Sequence, residues 1–328
     1  MEISQGSDAQ EDAQSVAYDA LVQLFAANID KVLDIEILPS SAAVPNGQIF
    51  FEDELGVGIP KKVLVAAFIK AREVFADRSN NANDQSYQKA SRATPILLLF
   101  DPEYLTAANF RKKQILSLPR EHDGFQLAVK RELIFLDSVL TSPLHRQSKS
   151  PTLWYHRYWL IRESWRHLCP TDDLAEDFLK HEFAIIFRSA ERHQHNYYAW
   201  QYARRLVSLL EPTLQEDNIK IRVKDGVLEE SFAWCLQHPS DTSGWSFLLF
   251  LMQRPLSNTE QIITIMRKTI DFAATCRWSK DALWHFLRTA LLMTEILPEN
   301  SRTRFIDSTG VKPIGSKYSG LAHPESPS

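Results

Sequence analysis

The chain has 328 residues and a formal charge of −4, from 37 basic and 41 acidic side chains. The two signs are interspersed without a Lys/Arg block or stripe, which excludes the electrostatic footprint of a nucleic-acid binder. Cys169, Cys235 and Cys276 are too widely separated for a disulfide frame or a zinc site and fit a reducing compartment.

The polar, acidic start MEISQGSDAQEDAQ is not a secretory signal, and its acidity argues against a transit peptide. Apolar runs such as PILLLF (95–100) are too short to span a bilayer, so the expectation is a cytoplasmic protein without a transmembrane segment. Ten glycines is a low count against the usual ~7%. Few glycines means few tight hairpins, as expected where helices joined by short polar turns dominate.

In chain order, residues 1–12 are expected to be disordered. Val16, Ala20 and Leu24, with Val22, Phe25 and Ile29, have helical spacing and predict a first helix over 13–33. The alternating stretch 34–58, with Pro39, Pro45 and Gly47, reads as extended, with a small hairpin as one form it can take. Pro60 at a first-turn position opens a helix to about Phe75. The polar run SNNANDQSYQKAS (79–91) reads as a loop, and Thr94-Pro95 as a capped restart of helix. Paired helices follow. First members are expected over 125–141, 173–191, 220–237 and 258–275, and second members run to about 168, 210, 253 and 296. The Ser-, Pro- and Gly-rich tail 301–328 is expected to be disordered.

Each second member starts with a version of one segment: KSPTLWYHR (149–157), HNYYAWQYAR (195–204), SDTSGWSFL (240–248) and SKDALWHFLR (279–288). The shared Trp stands at 154, 200, 245 and 284, so the spacings are 46, 45 and 39. Another step of 46 back from Trp154 reaches Ala108 in TAANFRK, a worn copy that keeps Arg111. Recurrence every ~40–47 residues marks a helical-repeat architecture. The expected fold is therefore all-α, a right-handed alpha-alpha superhelix of about five hairpins, a solenoid preceded by a short irregular or extended N-terminal segment. Its expected division is 1–12 disordered, 13–100 variable, 101–300 repeats and 301–328 tail.

Ser150, Asn196 and Asp241 lie four before their Trp and can cap the first free amides; Ser279 lies five before Trp284, a one-residue slip. Pro151 fits the first helical position, where no N–H is needed. Trp154, Trp200, Trp245 and Trp284 are read as inter-repeat packing, and the Arg three or four further on (Arg111, Arg157, Arg204, Arg288) as ion-pairing within the repeats. Lys149 and His195 stand just ahead of a cap. A cation there is disfavoured by the helix dipole, so Lys149 either points into water or shares an anion with the free amides.

These segments resemble the repeat of protein prenyltransferase alpha subunits, Asn/Ser-Tyr-x-x-Trp-x-x-Arg, with Asn196-Tyr197-Tyr198-Ala199-Trp200 the best match. Lys149-Ser150-Pro151 and the long N-terminal region are more like the divergent branch, the alpha-subunit repeat-containing proteins. The resemblance implies the alpha-type subunit of a heterodimeric transferase. That enzyme carries out protein prenylation, with geranylgeranylation (or farnesylation) of a cysteine in an acceptor protein. The implied partners are a prenyltransferase beta subunit, the acceptor and an isoprenyl diphosphate at the subunit interface. The chain is not catalytic alone; it carries no cofactor or metal, and zinc is expected in the beta subunit. The histidines 181, 193 and 195 have no Cys at ligand spacing and are not read as a metal site.

The resemblance also gives Lys149 a catalytic role beside the departing diphosphate, and places Tyr197, Tyr198 and His195 near substrate. Exposed aromatics at a subunit interface are the alternative for the two tyrosines. Pro151, Thr152 and Ala203 replace the family's Tyr, Gln and Arg, which points away from a CaaX tetrapeptide and toward a folded or pre-lipidated acceptor. A non-catalytic helical-repeat scaffold for protein–protein interaction is the alternative to the enzyme subunit.

Overall fold

The computed structural model describes residues 2–44, 47–54, 56–78, 83–254 and 259–293. Among these are thirteen α-helices and three short strands, so the chain is all-α and built of helical hairpins. The expected tail 301–328 lies outside the described residues. Contacts divide the chain into two units, one of residues 1–174 and 184–202, the other of 175–183 and 203–328.

The first unit opens with α1 (Glu2–Ala27), which is helical well before residue 13 and stops short of 33. Strands β1 (Asp34–Leu38), β2 (Phe51–Glu52) and β3 (Gly56–Pro60) follow. Their order is β1-β3-β2, with β1 parallel and β2 antiparallel to β3, so the extended stretch is more than a hairpin. Gly56 is required, because a Cβ there would meet Asp34 O at 2.4 Å. The sheet is tied down at β1. Leu33 N donates to Ser138 Oγ at 2.9 Å, and Arg192 grips both Asp34 oxygens at 2.7 and 2.6 Å. The Arg192 hydrogen bond holds the Asp34 carboxyl below its ordinary range.

Helix α2 (Lys61–Asp77) begins after Pro60, which sits at the cap and not in the first turn. Helix α3 (Asp84–Phe100) corrects the loop and restart expected around 79–95: it starts at Asn83, whose side chain accepts from Ser86 N, and runs through Pro95. Pro95 lacks the N–H that would bond Ser91 O, but the Thr94 hydroxyl donates to that carbonyl at 2.7 Å. Residues 79–82 of the expected loop lie outside the described residues.

Next come α4 (Leu105–Leu116), α5 (Asp123–Leu140), the single turn α6 (His145–Ser148), α7 (Pro151–Leu168), α8 (Asp172–Arg192) and α9 (Tyr197–Leu210). Then α10 (Asp217–Gln237), α11 (Thr242–Met252), α12 (Thr259–Thr275) and α13 (Asp281–Met293) complete the described chain. In the first unit α5 packs on α7 and α4 on both; in the second, α10 packs on α11 and α11 and α12 on α13. The limits of α5 and of α7 to α13 lie within a few residues of those read from periodicity.

Candidate functional site

Five helices, α4, α7, α9, α11 and α13, carry the repeat, and all place its key residue fourth. Ala108, Trp154, Trp200, Trp245 and Trp284 each stand three after the first helical residue. This removes the slip assumed for the last copy: α13 starts at Asp281, so the cap position is Lys280 and not Ser279. Three of the indoles close the preceding turn in one way. Trp154 Nε1 donates to Ser148 O at 2.8 Å, Trp245 Nε1 to Pro239 O at 3.0 Å and Trp284 Nε1 to Trp278 O at 2.9 Å, each six residues back. The rings pack as well, Trp154 on Tyr202 and Trp245 on Phe286, while Trp200 is fully buried beside Phe187.

The same carbonyls join one repeat to the next within the first unit. Ser150 Oγ accepts from Leu153 N as a cap and lies 3.2 Å from Pro102 O, six before Ala108. Asn196 Oδ1 accepts from Ala199 N, while its Nδ2 donates at 3.0 Å to Ser148 O, six before Trp154. The equivalent carbonyl six before Trp200, Gln194 O, accepts from Lys149 Nζ at 2.9 Å. Lys149 is thus a half-buried strap from the second copy to the third, and neither fully solvated nor wholly free. That is its only hydrogen bond among the described residues, so two ammonium protons remain for another acceptor.

These links set the starts of α4, α7 and α9 side by side as a polar ledge. Thr152 and Ser150 donate to Glu103, and Arg146 pairs with Asp101 at 3.4 Å. His145 and His193 meet edge to face at 5.6 Å, and His193 Nε2 lies 3.2 Å from Ser142 O. Burial, with the charges of His145, Lys149 and Arg192, pushes the His193 pKa down, so that ring is neutral near pH 7. His195 has φ 58°, a left-handed conformation that costs a non-glycine residue ~1–3 kcal/mol. It turns the chain so that Asn196 caps α9, leaving Tyr197 and Tyr198 at 58% and 38% exposure with rings 5.4 Å apart. Lys149, His193, His195 and the two tyrosines are therefore brought to one edge. Trp154, Arg157, Asn196 and Trp200 lie beneath it as packing. Trp245 and Trp284 belong to the second unit.

Below the ledge, α5 supplies two carboxylates that were not singled out in the sequence. Arg111 holds Glu132 with two hydrogen bonds, and fully buried Arg157 pairs with Asp137 at 2.5 Å. His156 Nε2 lies 3.2 Å from Glu132 Oε1, off hydrogen-bond geometry. Burial lowers the His156 pKa to about 4, against the pull of Glu132. The signal that could have found this network was the pair of acidic residues inside the apolar face of α5. Among the described residues no group of three His, Cys, Asp or Glu could hold a metal, and no helix is long and apolar enough to cross a membrane.

Residues 154–273 match the family model of the ECM9 middle domain. The chain is 27% identical over 178 residues to protein prenyltransferase alpha subunit repeat-containing protein 1-B of Xenopus laevis, covering 51% of this chain and 37% of that one. It is 24% identical over 151 residues to geranylgeranyl transferase type-2 subunit alpha of Candida albicans, covering 45% and 38%. Protein ECM9 of Saccharomyces cerevisiae is 26% identical over 212 residues, covering 61% and 48%. The matched stretches span less than half the length of these relatives. The similarity is to prenyltransferase alpha-type repeats, and specifically to their divergent, repeat-containing branch.

Proposed function

We propose that the chain is the alpha-type subunit of a heterodimeric protein prenyltransferase that transfers a geranylgeranyl or farnesyl group to a cysteine of a folded acceptor protein, in the cytoplasm. The observation that carries this is Lys149, an ammonium fixed by one bond to Gln194 O at the ledge, beside exposed Tyr197 and Tyr198. In the reaction the acceptor's thiolate sulfur, its proton already lost to solvent, forms a bond to C1 of the isoprenoid. The C1–O bond breaks, and its electron pair leaves on the diphosphate. Lys149 offsets that growing charge. Zinc in the beta partner would supply thiolate activation; among the described residues of this chain no group of three His, Cys, Asp or Glu could hold it.

Co-expression with beta-subunit candidates from the same genome should yield a stable complex, and failure with every candidate overturns the reading. Within a complex, Lys149→Ala is expected to cut prenyl transfer by ~10-fold or more while assembly holds, since an electrostatic donor at a leaving group contributes at that scale. Equal activity would confine Lys149 to its strap. The second reading, a non-catalytic scaffold, is favoured by one feature: Thr152, where the family has a peptide-binding Gln, is occupied by Glu103. A stable complex with no transfer activity would select it.

A further inference from the structure

The first unit contains a cavity of about 550 Å³ between α1, α3, α4 and α5. Its walls are apolar, with Val22, Phe25, Ile29, Ile115, Leu118 and Phe135 among them. The charge of the lining is one-sided. Lys31, Arg92, Arg111 and Arg131 face it against a single carboxylate, Glu132, in a chain whose overall charge is −4. Glu132 is already taken by Arg111 at the floor, and Asp30 outside the lining engages Arg131 through Nε at 3.1 Å. Arg92, exposed at the rim, has no hydrogen bond or ion pair among the described residues, and its charge is felt by the half-buried Tyr18.

Several features match a ligand pocket and not a packing fault. The size falls within the ~300–1,000 Å³ usual for small-molecule sites, and apolar walls with a few placed polar groups are their ordinary chemistry. Ile29 and Tyr87 stay about 40% exposed at its edge (41% and 43%), apolar surface that an occupant would cover. We propose that this cavity binds a single-chain lipid with an anionic head, the chain lying along Phe25, Ile115 and Leu118 and the head at Arg92 and Arg131.

The test is a fluorescence titration of the full-length protein with a dansyl-labelled fatty acid below its micellar concentration, with displacement by palmitate, hexadecyl phosphate or hexadecanol. The expected result is saturable binding that both anionic competitors displace better than the alcohol; the stronger of the two identifies the head group. Ala128→Trp, which fills the cavity from α5, should weaken binding by ~10-fold or more, and Arg92→Ala should weaken the acid without affecting the alcohol. No saturable binding overturns the proposal, as does unchanged binding in a folded Ala128→Trp protein. Should Ala128→Trp fail to fold, the exposed Arg92→Ala variant decides: equal displacement by acid and alcohol in both proteins overturns the anionic assignment.

Discussion

The two units of the molecule fill the same repeat position with opposite chemistry. Three residues after the repeat's key position, the first unit has Arg111 and Arg157, each paired with a carboxylate of α5. The second unit has Ala203, Leu248 and Leu287, all fully buried. The apolar version packs without a required direction. The ionic version demands one partner at one geometry and is costly if that partner is lost, which ties α4, α5 and α7 to a single arrangement directly under the ledge.

The sharpest break of this comparison is Arg157→Met, which takes the guanidinium away from the buried Asp137 carboxylate. It should lose ~3–5 kcal/mol in urea unfolding, and Arg157→Met combined with Asp137→Leu should recover most of it by copying the second unit's apolar solution. A double variant as unstable as the single one would show that the pair is not the reason for the difference.

The pH response is expected to come from the first unit as well. The folded His156 pKa of about 4 lies below the unfolded 6.5. The unfolded chain therefore takes the proton first, and stability, complete above pH 6.5, falls as pH drops toward 4. The drop amounts to ~3 kcal/mol from a shift of this size. His156→Gln should flatten that window, as read from urea midpoints across pH. Smaller is the effect of Asp241→Ala in the second unit, where one carboxylate oxygen accepts from Ser243 N and Gly244 N at 2.9 Å each. Thermal unfolding should show a loss of ~1 kcal/mol. Smallest is Lys149→Met, whose half-exposed bond to Gln194 O should contribute no more than ~1 kcal/mol to stability. A larger loss would make the strap, and not an anion, the reason for a lysine there.

Sequence reading reached the helices because their apolar spacing and caps are local: α5, α7, α8, α10 and α12 fall close to their expected spans. It missed the helical run before Pro95, since the compensation by Thr94 is a side-chain bond that the Thr-Pro pair does not advertise. It missed the parallel pairing of β1 with β3, because a register between segments about twenty residues apart has no local signature. At the ledge, the types of Lys149, Asn196 and Ser150 were readable. Their partners were not, because Gln194 O, Ser148 O and Pro102 O are backbone atoms, and any residue type would present the same group.

The ring that three of the four repeat indoles close with the carbonyl six residues earlier has a consequence for how such a chain can change length. Its span is the same at Trp154, Trp245 and Trp284, although successive copies are 46, 45 and 39 residues apart. The variation falls elsewhere, largely in helix length: α7, α9 and α11 have 18, 14 and 11 residues, and α8, α10 and α12 have 21, 21 and 17. The indole works as a fixed-length clasp: residues can be gained or lost on either side of it, but not inside it.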